Sequence, residues 1–301
     1  MSTPQPSHSD TTKALKLFEL WYKRIKYFFV TIFVIILLVI SLSAGLLLGF
    51  FMSMTANSEN ITNAQLRAHV LRVPGDEQIN YKQKDFLKQY DDSLNPLLVG
   101  PKSVNAVIPK ALVASEDSLY YKHDGILPKA LLRAIFQDIF NTKASSGGST
   151  ITQQVIKNQV LNNEKTYNRK ANEIVLAMKL ERIMSKEEIM YIYLNIVPFG
   201  RDYNGDNITG ISSASYSLFG KPPSDVNLPE AAYLIGLVQS PYTYTPYNED
   251  GTLKKDTDLQ ISLKRQHYVL WRMKVEGEIS DKEFHQAEKF DIKTHLMTKR
   301  P

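Results

Sequence analysis

The polar and apolar positions along the chain fall into two regimes. From Phe28 to Met52 there is no charged residue, and Ile, Leu, Val and Phe dominate. At about 1.5 Å rise per residue, a helix of this length crosses a hydrocarbon core of roughly 30 Å, which predicts a transmembrane segment over 28–52. A cleaved leader has a shorter apolar region, of about 7 to 15 residues, so a retained signal anchor fits better. Beyond it the pattern turns helical. Pro128 suits a first helical position, with Leu131, Leu132, Ile135, Phe136 and Ile139 recurring on one face. Ser185 with Glu188, and Ser280 with Glu283, have capping-box spacing. Pro229 opens and Pro241 closes an apolar run, and a long last helix is predicted from about Asp258 to Glu276, ended by Gly277. Alternating strand patterns are few, so the predicted fold class is mainly α with at most a short hairpin. Residues 53–104 are polar and weakly periodic, with turn signals at Pro74-Gly75 and Asn95-Pro96. They read as a stalk between the anchor and a domain over 105–301, with 1–27 as a cytoplasmic tail.

Charge adds an orientation to this picture. Lys13, Lys16, Lys23, Arg24 and Lys26 precede the span, whereas the stretch just after it carries only Glu59. The amino terminus is therefore expected in the cytoplasm and the domain outside it. The net charge of +5 is spread through the predicted helices rather than gathered into a basic run with interleaved aromatics, which argues against a nucleic-acid partner. With no cysteine in the chain, disulfides, thiolate metal sites and a cysteine nucleophile are excluded.

Three polar blocks carry candidate chemistry. Glu116-Asp117 closes an apolar stretch that Pro109 opens, so Glu116 meets a partly desolvated environment suited to a general base, with His123 nearby to orient a neighbour. Gly147-Gly148 removes side chains ahead of Ser149 and Thr150, freeing backbone N–H groups at a helix start to face an anion. Gln154, Lys157 and Asn158 then share one polar face on which a pyrophosphate can be held. In the third block, Arg169-Lys170-Ala-Asn-Glu173, the carboxylate falls on the apolar side of its helix, marked by Leu176, Ala177 and Leu180. Glu173 reads either as half of a local ion pair with Arg169 or Lys170, or as a group holding a lysine or a divalent cation against phosphates.

In order and spacing these blocks resemble the first three motifs of the peptidoglycan glycosyltransferases of family 51. Lys186 to Gly200 is similar to the fourth motif, and Ala214 to Lys221 with Leu228 to Pro241 resembles the fifth region. The resemblance implies a lysozyme-like α domain with a small membrane-proximal lobe, held at the bacterial plasma membrane by the single span. It implies Glu116 and Glu173 as catalytic residues, the first activating the acceptor hydroxyl and the second organising the diphosphate of the donor. It further implies substrate contacts at Asp117, His123, Arg133, Ser149, Thr150, Gln153, Gln154, Lys157, Asn158, Lys165, Arg169 and Lys170. The implied cofactor is Mg²⁺ or Mn²⁺ at Glu173. The implied partners are lipid II, the growing lipid-linked glycan and the membrane, with wall-synthesis or division proteins as candidates.

Tyr120 departs from the usual Phe, and Lys165 stands where many relatives have Arg, keeping the charge but not the two-pronged grip on phosphate. The Ser-x-x-Lys and Lys-Thr-Gly motifs of a transpeptidase do not occur in the sequence, so a monofunctional enzyme is expected. Two rival readings are a lysozyme-like hydrolase, which has no use for an anion-binding helix, and a non-catalytic recruiter of wall-synthesis partners, which has no use for the charged motif residues.

Overall fold

The computed structural model describes residues 8–73, 86–131, 133, 148–161 and 166–298. The chain divides into two compact units, at Ala56/Asn57. The first is formed by helix α1 (His8–Glu59) up to Ala56, and within it Leu15–Ala56 is long and apolar enough to cross a membrane. Its large apolar side chains, from Phe28 through Leu48, are exposed, as a span packed against lipid requires.

The second unit is mainly helical, as the sequence pattern predicts. Its helices are α2 (Asn63–Val70), α3 (Phe86–Asp91), α4 (Val107–Glu116), α5 (Ile151–Gln159), α6 (Tyr167–Glu181), α7 (Lys186–Ile196), α8 (Ile211–Phe219), α9 (Leu228–Val238), α10 (Pro241–Tyr244), α11 (Asp256–Val275) and α12 (Asp281–Ala287). The one hairpin among the described residues pairs β1 (Pro198–Arg201) with β2 (Asn207–Thr209), antiparallel, with an irregularity between Pro198 and Gly200.

Helix α9 is the centre of the unit. Every residue from Pro229 to Val238 is buried, and α11 packs along it and along α4. On the other side of the core, α5 packs against α6 and α7. Side chains fix where these helices begin. The capping boxes expected at Ser185/Glu188 and Ser280/Glu283 are both formed, and Thr62/Gln65, Thr150/Gln153 and Asn227/Glu230 form three more. Each N-cap contributes about 0.5–2 kcal/mol by satisfying backbone donors that the helix cannot.

One boundary is corrected. The described parts of the expected stalk that lie in the second unit, 57–73 and 86–104, are built into its fold: Leu66, Val70, Phe86, Tyr90, Leu98 and Val99 all belong to its buried core. Buried Asn195 of α7 ties this segment down, accepting from Val99 N–H at 3.0 Å and donating to Val99 C=O at 2.9 Å and to Tyr191 C=O at 2.8 Å. Short helices hide such a contribution, because α2 and α3 are too brief to show a 3.6-residue period. Leu132, Ile135, Phe136 and Ile139, and with them most of the predicted small lobe, lie outside the described residues, as do Gly147 and Lys165.

Candidate active site

The end of α4 and the start of α5 meet at a cleft of about 920 Å³, lined by Glu116, Ser149, Gln154, Arg133, Arg265 and Tyr268 among others. Glu116 is the last residue of α4. Burial pushes its carboxyl above the ordinary glutamate range, against the lowering influence of the Arg265 guanidinium and of a hydrogen bond from Gln154. Arg265 of α11 reaches it with Nη2 2.6 Å from Oε1, and both side chains are close to nine-tenths buried. Tyr193 of α7 sets the orientation of Gln154: its hydroxyl donates to Gln154 Oε1 at 2.9 Å, which turns the amide NH₂ toward the carboxylate. Burial, and then the charge of Glu116, hold the Tyr193 phenol well above its usual range, so it stays a donor. The result is a carboxylate of raised proton affinity on an oriented hydrogen-bond relay, the arrangement a general base needs.

The helix start that the glycines suggested for an external anion is filled from within. Asp117, buried beside Glu116, accepts from Ile151 N–H at 3.0 Å and takes the positive end of α5 for its own carboxylate. His123 Nε2 lies 3.0 Å from Asp117 Oδ2, while Gly125 N–H donates to His123 Nδ1 at 3.0 Å, which leaves the ring proton on Nε2, facing Asp117. Thr150 donates its hydroxyl to Gly125 C=O at 2.6 Å and shares its capping box with Gln153. Asp117, His123, Thr150 and Gln153 therefore stitch the loop after α4 to the start of α5 and support the site, with Asp117 also lining the cleft. The expected polar face of α5 also divides: Gln154 turns to Glu116, whereas Lys157 and Asn158 are exposed and outside the cleft lining.

A second polar cluster adjoins the cleft at Ser149. Lys170 Nζ donates to Ser149 Oγ at 2.9 Å and pairs with Glu173 Oε1, while Arg169 Nη1 holds Glu173 Oε2 at 3.0 Å. Glu173 is fully buried on the apolar face of α6, as its spacing implies. Both of its oxygens are taken by cations, and among the described residues no group of three His, Asp or Glu side chains converges as a metal cage. The donor set does not fit a divalent cation held by the protein at Glu173. It fits instead a carboxylate that fixes two cationic side chains at the cleft edge.

Sequence reasoning missed Arg265, Arg272, Lys129, Gln239, Tyr193 and Tyr268. Lys129 and Arg133 bring positive charge to the wall near Ala130, and Arg272, lining the cleft, donates from Nε to Ala114 C=O at 3.0 Å. The seven-residue spacing of Arg265 and Arg272 was the one available signal, since it places both on one face of α11.

Residues 83–274 match the transglycosylase family model, and the chain belongs to that family. Its mainly α, lysozyme-like domain and apolar amino-terminal helix agree with the class expected from the motifs. The chain is similar to penicillin-binding protein 2a of Streptococcus pneumoniae, at 35% identity over 233 residues that cover 75% of this chain and 29% of the relative. It is similar to penicillin-binding protein 1A of Clostridium perfringens, at 33% identity over 88% of this chain and 37% of the relative. Penicillin-binding protein 1A of Escherichia coli K12 is 32% identical over 88% of this chain and 28% of its own length. The chain thus spans roughly a third of the length of these curated relatives.

Proposed function

We propose that the protein is a single-pass membrane peptidoglycan glycosyltransferase that polymerises lipid II into glycan strands. The observation that carries this reading is the buried Glu116 carboxylate, with its raised proton affinity, in a cleft that is also lined by Ser149, to which Lys170 donates. Glu116 takes the proton from the 4-hydroxyl of the acceptor as that oxygen attacks the donor's anomeric carbon with inversion. The lipid diphosphate departs toward Lys170, Ser149 and Arg169, whose charge stabilises the developing anion. Glu173 keeps Arg169 and Lys170 in place for that task. A glycan hydrolase has no departing diphosphate, and the cationic edge supports transfer over hydrolysis.

The apolar helix gives the chemistry its location. Both substrates are lipid-linked, so a tether in the same bilayer raises their effective concentration at the cleft. The basic flank before the span supports a cytoplasmic amino terminus and an extracytoplasmic domain in the bacterial plasma membrane.

The deciding experiment is incubation of the purified full chain with lipid II, followed by gel separation of the products. A ladder of polymer is expected. Glycan fragments from preformed strands would point to hydrolysis, and no reaction of the folded protein would point to a recruiting role.

A further inference from the structure

Helix α11 carries two aromatic rings that the proposed reaction leaves unassigned. Tyr268 lines the cleft, and Trp271, one turn further on, stands beside it with ring centroids 5.9 Å apart. Both are partly open to solvent, at 38% and 42%. Single exposed apolar residues need no explanation. These two are organised: the Arg265 guanidinium lies 4.5 Å from the centre of the Tyr268 ring and that of Arg272 5.8 Å from the Trp271 ring. The cations that line the cleft thus hold the rings as well.

The direction of α11 says toward which end of the cleft the rings stand. It runs antiparallel to α4: Arg265 meets Glu116, the last residue of α4, Arg272 meets Ala114, and Glu278 just beyond α11 meets Lys110 at 3.3 Å. Travelling from Arg265 to Trp271, about 9 Å along the axis, therefore leads away from the junction with α5, where Ser149 and Lys170 stand. If the diphosphate of the donor leaves at that junction, the reactant on the opposite side of Glu116 is the acceptor, whose sugar hydroxyl Glu116 deprotonates. Sugar rings present C–H groups of partial positive charge, which suit the negative face of an aromatic ring.

We propose that Tyr268 and Trp271 form a stacking platform for the acceptor saccharide, setting how tightly and in what orientation a β-1,4-linked amino-sugar acceptor is held beside Glu116. The assignment rests on the glycosyl-transfer reading above. It makes the two rings specificity and positioning residues, while proton transfer stays with Glu116.

Trp21 and Trp271 are the only tryptophans in the sequence, so Trp21→Phe in the full chain leaves Trp271 as the sole indole reporter. Chitotetraose, a β-1,4-linked N-acetylglucosamine tetramer, is titrated against this protein in detergent. A saturable change in Trp271 emission is expected, with its midpoint moved about three- to tenfold higher by Tyr268→Ala. A response to phosphatidylglycerol–phosphatidylethanolamine vesicles in place of the saccharide would make the rings a membrane contact and overturn the proposal, as would no response to either. In the kinetic arm, preformed lipid-linked glycan is the saturating donor and lipid II the varied acceptor. Trp271→Ala should raise KM about three- to tenfold with a smaller change in kcat, and Trp271→Phe should restore most of the loss. An unchanged KM for folded Trp271→Ala in a preparation whose parent polymerises would remove the platform alone. Absence of polymer from the parent would remove the glycosyl-transfer reading, and the saccharide titration would still decide whether the rings bind sugar.

Discussion

Replacing Glu116 by glutamine tests the centre of the reasoning, because it keeps the side chain's size while abolishing its ability to accept a proton. Removing a positioned base costs a factor of about 10² to 10⁴ in rate, or about 3 to 5.5 kcal/mol in the barrier, and polymerisation of lipid II should fall by that amount. The same substitution has a second readout with a definite sign. Burial raises the folded-state pKa of Glu116 above its ordinary value, so the folded protein binds this proton more readily than the unfolded chain does. The stability contributed by that proton is fully present below the ordinary carboxylate range and is lost as pH rises through the folded pKa. Glutamine cannot titrate. Thermal unfolding of the two proteins over the acidic range should therefore show the wild type losing stability relative to Glu116→Gln as pH rises. Parallel Tm–pH curves would refute the raised proton affinity of Glu116. Near wild-type polymer from the folded variant would remove Glu116 from the mechanism and with it the proposed acid–base step.

Four other outcomes follow from particular contacts. Arg265→Gln removes the cation that lowers the Glu116 pKa, so the acidic limb of the pH–rate profile should move to higher pH; an unmoved limb would deny the ion pair any influence on the base. Asp117→Asn turns an NH₂ toward either Ile151 N–H or His123 Nε2, both now donors to the carboxylate, and should cost about 1–3 kcal/mol, read as a fall in Tm with loss of activity at temperatures where the variant unfolds. Gly125→Ala should destabilise by at least about 1–3 kcal/mol, since Gly125 has φ +89° and a Cβ there would stand 2.7 Å from Ala177 C=O; an unchanged unfolding midpoint would contradict the close approach. Glu173→Gln leaves Arg169 and Lys170 beside a neutral amide, so turnover should fall by a factor that does not change across a Mg²⁺ or Mn²⁺ titration, whereas rescue by either metal would place a cation at this carboxylate.

The sequence by itself determined what depends on neighbours along the chain. The long apolar run, the capping boxes at Ser185 and Ser280, the buried helix between Pro229 and Pro241, and the apolar placement of Glu173 are set by spacing on a single element, and each stands in the structure as read. The motif blocks likewise indicated Glu116 and the Arg169–Glu173 helix, because a carboxylate at the end of an apolar helix and a charge on an apolar face are both visible without the fold. Tertiary structure decided what those groups touch. Glu116 and Arg265 are separated by most of the domain's sequence yet share one ion pair, and Tyr193 orients Gln154 from another helix. No period or motif spacing encodes a contact between elements. For the same reason the internal bonds of Asp117, His123, Thr150 and Gln153 were not legible: a polar side chain near a helix start serves a ligand or the protein's own backbone equally well, and only the packed structure shows which backbone groups it reaches. Here the chain supplies its own carboxylate, Asp117, to the start of α5 and sets Lys170 beside Ser149.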